Sequence, residues 1–200
     1  MIKAIIVDFS GVVCQHGSLL EPLVELCPGI NYEKAKEKYN LAKIGKISND
    51  EYVSFFTKES MEWAINQSTL HEGAMDFLKN NNLPLYLASN HISNIIQTEI
   101  NKLGIEEYFT DIFISDKLKL AKPSKEFFNE ILKRIDLEAE EVIFVDDQKR
   151  NLVPAKEMGM KTIWVNNTTV DPFGDNGDII PDGETYDLSK LNEIIKGLDK

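Results

Sequence analysis

Cysteine is scarce in this chain: Cys14 and Cys27 are the only two among 200 residues. Two thiols in a chain of that length, with no secretion signal, read as reduced rather than as a disulfide, and their spacing matches no metal site. Cys14 reads as a small buried filler. Basic residues are also few, 22 Lys and Arg against 33 Asp and Glu, for a formal net charge of −11. That balance argues against a nucleic-acid or anionic-membrane partner, both of which need a broad basic face. Any phosphate must then be met by a local cluster. No apolar run approaches the length of a membrane span, and the N-terminus lacks the basic segment, apolar core and cleavage site of a signal peptide. The expectation is a cytoplasmic protein, monomer or homodimer, without nucleic-acid or membrane partners.

With 42% hydrophobic and 28% charged residues, the chain can bury a full core. Ala4 to Val7 is an uninterrupted apolar run without period-2 alternation, which fits a strand covered on both faces. The pattern then turns helical for most of the next sixty residues. Leu19, Leu20, Leu23, Val24 and Leu26 form one stripe; Tyr32, Ala35, Tyr39 and Ala42 form another, closed by Gly45. Ser48 with Glu51 reads as a capping box opening a third helix, and Met61, Trp63, Ala64 and Ile65 mark a fourth. From about Thr69 helices and strands alternate, the signature of an α/β fold. Strands are expected at 83–88, 112–114, 142–145 and 162–165, with helices at 74–78, 92–103, around 127–132, 151–158 and 188–198. Pro154 is expected in the first turn of its helix, and the Asn-, Asp-, Gly- and Pro-rich stretch 166–187 reads as loop.

The fold class that follows is α/β, a Rossmann-like doubly wound parallel sheet of five strands with a small inserted helical cap. The core is expected over 1–14 and 71–200 and the cap over 15–70.

Three strand ends carry chemistry. Asp8 follows the first strand, Ser89-Asn90 the second and Asp146-Asp147 the fourth, and Lys122-Pro123 lies in the loop after the third. Singly, Asp8 reads as a turn cap, Ser89 as a helix N-cap, Lys122 as a surface lysine and the aspartate pair as an acidic helix start. In a parallel sheet, however, these ends converge on one edge. Carboxylates gathered there repel one another, so the cluster predicts a cation. Oxygen-only ligands favour Mg²⁺, with Lys122 adding positive charge. A metal, an ammonium and a hydroxyl around a carboxylate suit phosphoryl transfer.

The ordered motifs Asp8-Phe9-Ser10-Gly11-Val12, Ser89-Asn90, Lys122-Pro123 and Val145-Asp146-Asp147 resemble those of the haloacid dehalogenase superfamily, and the insert resembles the small helical cap of the subfamily that places it after the first motif. The resemblance implies a Mg²⁺-dependent phosphatase acting on a small phosphorylated metabolite, such as a sugar phosphate. It makes Asp8 the nucleophile that forms an aspartyl-phosphate. Ser89, the Asn90 amide and Lys122 would bind the phosphoryl group, and Lys122 would also orient Asp8. Asp8, the Ser10 carbonyl, Asp146 and Asp147 would hold the metal, supported by Asn151. Ser10 departs from the pattern: most phosphatases of the family carry a second aspartate there, as general acid and base. His91 is the leading substitute and His16 the next; His71 reads as structural. Two other readings remain open. One is a 2-haloacid dehalogenase, whose halide leaves without protonation; the other is a slow phosphate-binding or interaction protein.

Overall fold

The computed structural model of the chain describes residues 1–16, 19–166 and 178–199. Its elements are, in order, β1 (Ala4–Val7), α1 (Leu20–Glu25), α2 (Tyr32–Ala42), α3 (Asn49–Val53), α4 (Lys58–Gln67), α5 (Ala74–Asn80), β2 (Leu85–Ser89), α6 (Ser93–Leu103), β3 (Asp111–Ile114), α7 (Ser115–Leu118), α8 (Lys125–Ile135), β4 (Val142–Asp146), α9 (Lys149–Glu157), β5 (Lys161–Val165), β6 (Gly183–Thr185) and α10 (Leu191–Leu198). The strands form one parallel sheet in the order β3-β2-β1-β4-β5-β6.

β1 lies in the middle, and its alternate residues serve two cores. Ile5 and Val7 join the apolar faces of α5, α6 and α10, while Ala4 and Ile6 pack with Phe127, Phe128, Leu152 and Ala155 from α8 and α9. Helices therefore cover both faces, which is why the run Ala4 to Val7 shows no polar alternation. The helices before α5 gather a third cluster around Leu20, Leu23, Ala35, Tyr52, Phe56 and Met61, to which Ile92 of the sheet-bearing part also belongs. The chain enters and leaves these helices through adjacent strands of backbone: the Gln15 amide donates to the Thr69 carbonyl (2.9 Å) and the His71 amide to that of Val13 (2.9 Å). Cys14 is buried in this crossing, bridged to Ser10 and Leu70, and Cys27 is buried as well.

Several expectations are corrected. The sheet has six strands, because Gly183–Thr185 pairs with β5 inside the stretch read as loop. Three residues reading Gly-Glu-Thr carry no alternation signal; Gly183 is required by packing, since a Cβ there would lie 2.7 Å from the Ile194 side chain. Residues 167–177 of that loop lie outside the described residues. α9 starts at Lys149, so Pro154 falls in its second turn and not its first, where it removes the amide that would have bonded to the residue 150 carbonyl. At α3 the Ser48 hydroxyl accepts from the Glu51 amide (3.0 Å), but the Glu51 carboxylate is directed to Lys38 (3.2 Å) and does not complete the box. The last helix opens as a tight turn at Leu188–Lys190. Among the described residues no helix is long and apolar enough to cross a membrane.

Candidate active site

Register decides which side chains meet. Val7 lies opposite Val145, so the next residues, Asp8 and Asp146, are level, and the pleat puts both on the face of Ile6 and Phe144. The Asp8 amide donates to the Val145 carbonyl (2.9 Å), continuing the ladder one residue beyond β1. β2 ends at Ser89 on the other flank of β1. The ends of these three central strands thus face one cavity of about 350 Å³ lined by Asp8, Ser10, Ser89, Asn90, Lys122 and Asp147, among others.

Lys122 reaches into this edge over the Phe144 ring. Its Nζ lies 2.9 Å from Asp8 Oδ2 and 2.7 Å from Asp146 Oδ2, with its side chain 1% exposed. Two carboxylates hold the ammonium charged and push its pKa up despite burial. The main chain of Lys122 is fixed by the side chain of Asn90, whose Nδ2 donates to the Lys122 carbonyl (2.8 Å) and whose Oδ1 accepts from the Lys122 amide (2.8 Å). Replacing Lys122 by methionine keeps the apolar stem but leaves two buried carboxylates without their cation. We expect a loss of roughly 3–5 kcal/mol, the usual cost of breaking a buried pair from one side, read as a lower urea midpoint at unchanged m-value.

The aspartates differ in their surroundings. Asp146 is fully buried and hydrogen-bonded at both oxygens: Oδ1 accepts from the Gln148 amide (2.8 Å) and Asn151 Nδ2 (3.0 Å), and Oδ2 from Lys122 and, sharing the same donor, Asn151 Nδ2 (3.1 Å). Asp8 Oδ1 accepts from the Phe9 amide (2.7 Å), but burial, opposed by Lys122 and reinforced by Asp146, raises its pKa to about 6. Asp147 is raised further, to about 8, by burial and by the charges of Asp146 and Asp8. Its Oδ1 is buried with no hydrogen-bond partner among the described residues. One oxygen from each of Asp8, Asp146 and Asp147 lies within 4.8 Å of the others. An orphaned carboxylate oxygen beside two more carboxylates is a donor set that fits a hard divalent cation.

The histidines fall elsewhere on the cavity wall. His16 Nε2 lies 3.2 Å from Glu99 Oε1 and 3.1 Å from Ser68 Oγ, and Ser68 donates to the same Glu99 oxygen (2.7 Å). His91 Nε2 faces Glu99 Oε2 at 3.5 Å, while its Nδ1 accepts from the Ile92 amide (2.9 Å). Both His91 nitrogens are thus turned toward Glu99 and the main chain. Burial opposes ionisation of Glu99, but Ser68 and the imidazoles outweigh it and hold its pKa low. His71 is buried against the Glu72 carbonyl, away from this cavity. Sequence reasoning missed Glu99. The signal was there: Ile92, Ile96, Glu99 and Leu103 fall at the helical spacing of one face, so the acid occupies a core position. Tyr39, one of the side chains of the inserted helices from which specificity was expected, lines the cavity, and its hydroxyl donates to the Asn90 carbonyl (2.8 Å), tying α2 to the end of β2.

A parallel doubly wound sheet with an acid-lysine cluster at the carboxyl ends of its central strands defines the class of the molecule. The family model described as haloacid dehalogenase-like hydrolase matches residues 19–165, and the chain belongs to that family. It is 37% identical over 100 residues, half of its length, to the glyceraldehyde 3-phosphate phosphatase of Methanocaldococcus jannaschii. It is 26% identical over 112 residues, 55% of its length, to (S)-2-haloacid dehalogenase 2 of Pseudomonas sp.. YfnB of Bacillus subtilis is 30% identical over 129 residues, 62% of the chain. The magnesium-bound crystal structure of YfnB superposes on 98% of this chain and 99% of its own with a TM-score of 0.73 and 21% identity. The sequence matches span 43%, 49% and 52% of the phosphatase, the dehalogenase and YfnB, so the chain matches about half the length of these curated relatives.

Proposed function

We propose that the protein is a Mg²⁺-dependent phosphatase of small phosphorylated metabolites, with residues 15–70 acting as a cap over the site. The observation that carries this reading is the orphaned, buried Asp147 oxygen beside Asp8 and Asp146. Asp8, Asp147, Asp146 and the Ser10 carbonyl would hold the ion, which when bound supplies the positive charge that offsets the carboxylates and an incoming phosphoryl group.

The chain's own residues divide the remaining work. Asp8 attacks phosphorus; as that bond forms, the ester P–O bond breaks and the alkoxide leaves, taking a proton from solvent water to become the alcohol. Water then returns the phosphoryl group as inorganic phosphate and restores the carboxylate. The Phe9 amide and Lys122 fix the two Asp8 oxygens, which orients the nucleophile before substrate arrives. The Ser89 hydroxyl and the Asn90 amide are the donors for phosphoryl oxygens, and Lys122 stabilises their charge. Asn151 and the Gln148 amide hold the Asp146 carboxylate in place. The dehalogenase reading ranks below this one, because displacement of halide by Asp8 needs no cation and leaves the Asp147 oxygen unexplained.

The test is phosphate release from a panel of phosphate monoesters with and without Mg²⁺. Release that EDTA abolishes supports the reading; release unaffected by EDTA, or halide release from 2-chloropropionate in EDTA, overturns it. A second measurement follows from the acids. Raised pKa values in the folded state mean that the metal-free fold binds protons more tightly than the unfolded chain does. The stability this gives at low pH is lost as pH rises from the unfolded value of 3.8 through about 6 for Asp8 and about 8 for Asp147. Mg²⁺ competes with those protons, so the rise in Tm on adding it should be larger at pH 8.5 than at pH 5.5. At a hundredfold excess over Kd, binding is worth about 2.7 kcal/mol. Asp147→Asn should remove most of the difference between the two pH values.

A further inference from the structure

The cavity above Asp8 has two unlike ends. Its floor is the polar cluster already described, but Leu20, Leu23, Met61, Ala64, Ile92 and Ile95 also line it. These side chains come from α1, α4 and the start of α6, and five of them belong to the apolar cluster of the cap helices, with Ile95 packed against it. A volume of about 350 Å³ exceeds what a phosphoryl group needs and lies within the range of small-molecule sites.

Most polar groups that α2 and α6 bring to the wall are already engaged, with Glu99 Oε2 the acceptor left without a hydrogen bond among the described residues. The Tyr39 hydroxyl donates to the Asn90 carbonyl, and Glu99 is directed to Ser68, His16 and His91. Lys43, the one Lys or Arg that the cap helices contribute among the described lining residues, lies over the Tyr39 ring. A polyhydroxylated alcohol placed here would exchange water for aliphatic carbon without recovering its hydrogen bonds, which is unfavourable for each hydroxyl buried. An alkyl or aryl group gains from the same wall with every carbon it buries.

We infer that the substrate is a phosphate monoester of an apolar alcohol, aliphatic or aromatic, whose hydrocarbon group occupies the cap side of the cavity. This rests on the phosphatase reading and narrows its substrate class away from sugar phosphates. The reaction is the hydrolysis written above: the apolar alcohol is released with a proton from water, and inorganic phosphate is the second product.

The experiment compares kcat/KM for acetyl phosphate, for a methyl to hexyl phosphate series, for phenyl phosphate, and for glycerol 3-phosphate and glucose 6-phosphate, all with Mg²⁺. The value should rise roughly fourfold per methylene until the cavity is filled, leaving hexyl phosphate at least about a hundredfold above either polyol ester. Binding gives an independent readout: by calorimetry, hexylphosphonate should bind more tightly than methylphosphonate. Ala64→Trp should flatten the rise with chain length by filling the wall, and the milder Ile95→Gln should lower the hexyl-to-methyl ratio if the larger residue prevents folding. Turnover of acetyl phosphate with a flat chain-length profile, or a preference for a polyol ester, overturns this inference and leaves the phosphatase reading standing. Silence with every ester, acetyl phosphate included, overturns both.

Discussion

Asp8→Asn is expected to abolish phosphate release, by about 10⁴-fold or more, while leaving the fold intact or more stable. A carboxamide oxygen is a poor nucleophile, and removing a group that forms the covalent bond costs on the order of 10⁴ to 10⁶ in kcat in enzymes where it has been done cleanly. The stability half of the prediction comes from the surroundings. Asp8 is buried, and its pKa of about 6, raised from 3.8 chiefly by burial, means that the ionised form, which predominates above that pH, costs the metal-free fold stability. The near-isosteric amide removes one of the like charges acting on Asp147. Its single oxygen can accept from either Lys122 or the Phe9 amide, which bond different Asp8 oxygens, and Lys122 retains Asp146 at 2.7 Å. At pH 8 without metal, the variant should therefore unfold at the same urea concentration as the parent or a higher one. Parallel loss of activity and stability would mean that Asp8 serves the fold and would remove it as the nucleophile. Residual turnover above a few per cent would do the same.

The contrast between Asp8 and Glu99 explains what a linear reading reaches. Asp8, Ser89, Lys122 and Asp146 were legible because a parallel sheet sends the carboxyl ends of its strands to one edge, so local patterns that locate strand ends also locate neighbours. Both-face burial of β1 was legible for the same reason: four consecutive apolar residues admit few other readings. Glu99 was not. Its partners His16 and Ser68 come from the two linkers that enter and leave the cap helices, and no periodicity says where a linker will lie. Asn90 was expected to act through its main-chain amide; that its side chain also holds Lys122 depends on the path of the loop before Pro123. The third layer of information, the apolar wall of the cavity, was present as helical stripes. Those stripes are the same whether a residue such as Met61 faces only its neighbours or the cavity as well, and only the assembled helices α1 to α4 distinguish the two.

Ser10→Asp is expected to raise kcat by about 10² to 10⁴, the usual worth of a positioned general acid and base, with Mg²⁺ dependence retained. Ser10 follows Asp8 by two residues, lines the same cavity and is held by its bridge to Cys14, so a carboxylate there is anchored by a turn whose backbone need not change. Its main-chain carbonyl remains in place for the metal. Asp8 and Asp147 are raised first by burial and then by neighbouring carboxylates; a new acid lining the same cavity would share the like charges, and a carboxyl group shifted toward neutrality is the form able to give a proton to a departing alkoxide. The gain should be largest for alkyl phosphates, whose alcohols leave poorly, and smallest for acetyl phosphate, whose acetate needs no proton. A uniform gain in kcat across leaving groups would place the benefit in the second step, where the same carboxylate activates water, instead of in protonation of the leaving group. No gain at all would mean that wild type already has a proton donor in the cavity. His16 and His91 both line the cavity and both face Glu99, so each is replaced in turn: the Gln variant of the donor should slow alkyl phosphates and spare acetyl phosphate, separating a donor from a residue that only anchors its neighbours through Glu99.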